Sequence, residues 1–96
     1  MTYVLQSEDG YVGDLASIGG YANMYDAVNN NSAAGSLLRE FFENGCTNHP
    51  RQAAEAIDRF LASNKRPLRP GVISTFRNLR KLLLKCGRGR IAMVTD

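Results

Sequence analysis

Two short runs rich in β-branched and aromatic residues stand at opposite ends of this 96-residue chain, at 2–6 and 90–95, and the periodic segments between them are helical. A lone strand leaves its backbone N–H and C=O groups unsatisfied, so the two ends are expected to meet and pair. That requirement closes the chain on itself. The expected fold is α+β: four helices on a small sheet of two or three strands that includes the N- and C-terminal strands, in one globular domain over 1–96.

Local signals divide the interior. The first run ends in Ser7-Glu8-Asp9-Gly10, a turn signal, after which Tyr11-Val12 reads as a brief return strand or a loop. Asp14 suits the N-cap of a first helix with apolar residues at Leu15, Ile18, Ala22, Tyr25 and Val28. Gly19-Gly20 weakens that helix by ~2 kcal/mol against alanine. Asn29-Asn30-Asn31 closes it. Ser32 caps a second helix carrying Leu37, Leu38, Phe41 and Phe42, and this helix stops at Asn44, Gly45 as the left-handed residue, and Cys46 as the apolar contact that follows.

Pro50 opens a third helix with Ala53, Ala54, Ile57, Phe60 and Leu61 inward and Arg51, Glu55 and Arg59 spaced for ion pairs outward. Ser63-Asn64 ends it. Pro67 and Pro70 stiffen the next connection, and a fourth helix runs from Gly71 to Cys86 and stops at Gly87. The expected core is Val4, Leu15, Ile18, Leu38, Phe41, Ile57, Phe60, Leu61, Phe76, Leu79, Leu83, Ile91 and Met93.

Charge is divided unevenly. Residues 1–48 carry six acids against Arg39 alone, a balance of −5; residues 49–96 carry eleven basic residues against three acids, a balance of +8. Nine of the twelve basic residues fall in 63–90, which holds no acid. Such asymmetry fits a polyanion partner, a second copy, or two halves that face one another. On a helical wheel Val72, Phe76, Leu79, Leu83 and Cys86 fall within about 80° and form a core stripe, with Arg77, Lys81 and Lys85 opposite. That basic stripe reads as a solvated face. Lys85, Arg88 and Arg90 stand at the negative end of the helix, where cations are favoured.

The start of the fourth helix breaks a local rule. Lys65, Arg66 and Arg69 stand at its positive end, and the cap candidates are Arg69 and Pro70, where an acid or hydroxyl is usual. Cations beside unpaired first-turn amides suit a phosphate, a carboxylate or a nucleic-acid backbone. Lys65, Arg66, Arg69 and Gly71, extended by Arg77, are therefore the candidate anion- or partner-binding residues. The competing explanation is that Glu55 or Asp58 folds back and neutralises the cluster.

Chemistry finds little to work with. Cys46 and His49 lie close together before a helix start, as a nucleophilic dyad requires, but Cys46 is accounted for as a small apolar residue after a helix cap. Cys46, His49 and Cys86 give three soft ligands without CxxC spacing, so neither a metal nor another cofactor is expected. Zinc-finger and RNP patterns are missing, and the four tyrosines lie in the acidic half, away from the cations. Residues 2–9 offer neither a basic nor an apolar signal region, and no apolar run reaches a membrane span. These features lead us to expect a non-enzymatic cytoplasmic interaction or regulatory module from a microbial source, binding a protein partner or itself, with both cysteines reduced. Nucleic-acid binding through 65–90 is the alternative.

Overall fold

The chain ends meet. In the computed structural model, which describes residues 1–31, 33–63 and 67–96, β1 (Thr2–Ser7) lies antiparallel to β4 (Ile91–Thr95), with Val4 opposite Val94 and Leu5 opposite Met93. Two further strands flank this pair, β2 (Gly10–Ser17) beside β1 and β3 (Cys46–Thr47) beside β4, in the order β2-β1-β4-β3. The sheet is antiparallel throughout and has four strands, where two or three were expected.

The additional strand residues come from the segment read as the start of a helix. Asp14 and Leu15 belong to β2, and the first helix, α1 (Ile18–Asn29), starts after Ser17, whose Oγ accepts the Gly20 N–H at 3.0 Å. Two bulges explain why β2 does not alternate cleanly. Tyr3 pairs with Ala16 but Val4 with Asp14, and Leu5 with Gly13 but Gln6 with Tyr11, so Leu15 and Val12 are extra residues. Because α1 begins later than expected, its inward face is Met24 and Val28 with Tyr21 and Tyr25 at its margin; Ile18 is 47% exposed and does not join the core.

The remaining helices are α2 (Ser36–Asn44), α3 (Pro50–Ser63) and α4 (Pro70–Cys86). Ser32 lies outside the described residues, and the N-cap of α2 is Gly35. Gly45 ends α2 in the left-handed conformation at φ 73°, donating its N–H to Phe41 O, while its own carbonyl accepts the Met93 N–H at 2.7 Å. One residue thus closes a helix and attaches it to the sheet. Pro50 begins α3, and α4 runs from Pro70 to a positive-φ glycine, Gly87.

The helices share one core with one face of the sheet. Leu5, Leu38, Phe41, Phe42, Ile57, Phe60, Phe76, Leu79, Leu83 and Ile91 are buried together, each contributing roughly 1.5–3 kcal/mol of apolar burial. Phe60 and Phe76 meet edge-on with ring centroids 5.4 Å apart, which joins α3 to α4. Leu61, expected inside, is half-buried at the margin of this core. The buried face of α4 is wider than the wheel suggests because β2 lies along it. Leu82 is buried against Gly13, and Asn78 Nδ2 donates to the carbonyls of Asp14 and Leu15, both at 3.0 Å. Lys85 Nζ donates to Val12 O at 3.3 Å. These side chains satisfy carbonyls on an edge strand that would otherwise invite further pairing.

Candidate functional site

Arg69 is the N-cap of α4, extended at φ −62° and ψ 144°, and no side chain caps the helix. Most of the amides expected to be free here are satisfied locally. Pro70 has no N–H, and the N–H groups of Val72 and Ile73 both bond to Arg69 O, at 3.0 and 3.1 Å. Thr75 Oγ1 returns a hydrogen bond to Gly71 O at 2.8 Å. The first turn is therefore tightened onto its own cap, and the Gly71 N–H makes no backbone bond among the described residues.

What the structure builds around Arg69 is a groove between α1 and the start of α4. One part, of about 340 Å³, lies between Asn23, Asp26 and Ala27 on one side and Leu68, Arg69 and Val72 on the other. A second part, of about 390 Å³, continues toward Ser17 and Gly20 and reaches Gly71 and Thr75. Asn23, Arg69 and Val72 line both, which makes the groove continuous. Its chemistry is mixed among the described residues: the apolar Ala27, Leu68 and Val72, side-chain amides, Arg69 and Asp26.

The expected site residues separate accordingly. Arg69 and Gly71 come together in the groove; Arg77 is exposed farther along α4 and lines neither part; Lys65 and Arg66 lie outside the described residues. The acid that shares the groove with Arg69 is Asp26, not Glu55 or Asp58. Asp58 instead pairs with Arg80, Oδ1 to Nε at 2.7 Å, both side chains being about half exposed. Asn23, Asp26 and Ala27 were not singled out from the sequence. Their spacing places them on one side of α1, but only the tertiary arrangement shows that this side meets α4.

Other cations of the basic stretch are engaged within the molecule. Lys85 is bound to Val12 O, and Arg90 Nη2 donates to Cys46 Sγ at 3.5 Å, a contact that favours the charged guanidinium. Cys46 is half-buried on the sheet rather than serving as the apolar plug after the α2 cap. The His49 main-chain N–H bonds to Thr47 Oγ1 at 3.1 Å and its side chain is exposed; Cys86 Sγ donates to Arg88 O at 3.5 Å. Both cysteines are free. Among the described residues no group of three His, Cys, Asp or Glu side chains is arranged to hold a metal ion, and no helix is long and apolar enough to cross a membrane. No protein-family profile, curated protein sequence or solved structure matches this chain.

Proposed function

We propose that this chain is a non-enzymatic interaction module that receives a segment of a protein partner in the groove between α1 and α4. The observation that carries this reading is the composition of the groove. Arg69 and Asp26 supply opposite charges, Asn23 supplies an amide able to bond a peptide backbone, and Ala27, Leu68 and Val72 form an apolar floor. Mixed polarity around an apolar centre suits a protein surface, and a carboxylate lining the same groove as the cation works against a polyanion. A cytoplasmic, regulatory setting remains part of the proposal.

The alternative, phosphate-backbone binding through 65–90, has less behind it. Within this segment, among the described residues, Arg80, Lys85 and Arg90 make bonds inside the molecule, to Asp58, Val12 and Cys46, and Arg69, Arg77, Lys81 and Arg88 are the exposed cations without one. Titrating labelled DNA and RNA at two salt concentrations separates the readings. The interaction module shows no binding to either near about 50 mM salt; tight binding that falls steeply with added salt transfers the function to the alternative.

A further inference from the structure

The sheet has a second face, and the core does not use it. Leu5, Ile91 and Met93 point into the core shared with the helices, so strand alternation turns Val4, Gln6, Ala92 and Val94 the other way. None of these four is part of that core. Val4 is nonetheless only 4% exposed. Its cross-strand partners are Asp14 and Val94, and Tyr11, opposite Gln6, donates its hydroxyl to Asp14 Oδ1 at 2.7 Å. That bond carries the Tyr11 ring along the face from one row of residues to the next, with 63% of the residue left exposed.

Charged groups stand at both ends of this face. Arg90 precedes β4 and reaches Cys46, the cross-strand neighbour of Ala92, which places the guanidinium at one end of the face. Glu8 stands near enough to favour its charge. Asp14 occupies the Val4 row toward the other end, and Asp96, whose N–H bonds to Thr2 O at 2.8 Å, follows β4 there. Aliphatic residues and a tyrosine thus lie between Arg90, with Glu8 near it, and the carboxylates of Asp14 and Asp96.

We infer that two copies of this chain associate through this face, sheet against sheet, about a two-fold axis crossing β4 at Met93. Arg90 and Asp96 stand three residues to either side of Met93, so the axis brings Arg90 of each copy to Asp96 of the other. The same operation lays Ala92 over Val94 and brings the Tyr11 row to the Asp14 row. A two-fold interface must be self-complementary, and charge of opposite sign at the two ends of one strand provides that. The sheets would stack about 10 Å apart and about 30° from parallel. Four strands spaced about 4.8 Å apart make a face of roughly 15 by 20 Å, below the ~800 Å² per partner of standard interfaces. The dimer is therefore weak, concentration-dependent and sensitive to salt. It uses a surface separate from the groove and stands independently of the proposed function.

Sedimentation equilibrium of the full chain from micromolar to millimolar concentration tests it, with circular dichroism confirming that each variant is folded. The mean mass should rise from 10.6 kDa toward twice that value in low salt. Arg90→Glu alone and Asp96→Arg alone should each raise the dimer dissociation constant by roughly tenfold or more, and the two together should restore it. A mass of 10.6 kDa at every concentration overturns the inference, as does a dimer whose strength neither reversal changes.

Discussion

Gly13 of β2 and Leu82 of α4 are in contact so close that a Cβ on the glycine would lie 2.5 Å from Leu82 Cδ2. This approach lets α4 lie along β2 and bring Asn78 to the carbonyls of Asp14 and Leu15. A side chain at position 13 must displace Leu82 from a buried site or move the strand. Gly13→Val should cost about 1–3 kcal/mol in urea unfolding. In a Leu82→Ala background the added penalty should shrink, since the space is then available. Equal penalties in both backgrounds would mean that the strain lies elsewhere.

Gly45 serves two elements at once. Its left-handed backbone ends α2, and its carbonyl accepts the Met93 N–H. Gly45→Ala should lower stability by about 1–2 kcal/mol, because an L residue is strained at positive φ. The loss should appear as a shifted denaturation midpoint with unchanged slope.

Tyr11 has a pH signature. Its hydrogen bond to Asp14 raises the phenol above its ordinary value, with burial and the Asp14 charge adding to the effect. The folded chain therefore favours the neutral phenol. The stabilisation is present below the unfolded tyrosine value and is lost as pH rises through the raised one. Tyr11→Phe should remove that part of the alkaline dependence, read from melting temperature between neutral and alkaline pH. An unchanged alkaline profile in Tyr11→Phe would show that the bond does not persist in solution.

Much of the fold was legible from the sequence, and the failures are local. Pairing of the chain ends follows from backbone hydrogen bonding, and the α2 stop follows from Asn44-Gly45. The β2 segment was misread because its two bulges destroy the period-two pattern while Leu15 and Ile18 fall by coincidence at helical spacing. Two residues of β3 carry no pattern at all. Within the candidate site, Arg69 and Gly71 were visible as an uncapped helix start. Asn23 and Asp26 were not, because the proximity of α1 to α4 is a tertiary fact that no spacing encodes.

An arginine at the N-cap of α4 is a poor choice for stability, which makes it informative. Arg69→Asp supplies both a capping carboxylate and a negative charge at the positive end of the helix. It should stabilise the chain by about 0.5–2 kcal/mol, seen as a higher melting temperature. A lower melting temperature would mean that the Arg69 side chain has a structural role in the groove.

The claim of a protein partner in the α1–α4 groove is tested most directly by capture from native lysate, with and without nuclease. Wild-type chain is compared with Asn23→Arg and Arg69→Asp, both surface changes, and with Lys81→Ser outside the groove. The account predicts one protein retained by wild type and Lys81→Ser, unaffected by nuclease, and lost from both folded groove variants. Capture abolished by nuclease, or equal in the groove variants and wild type, would contradict it.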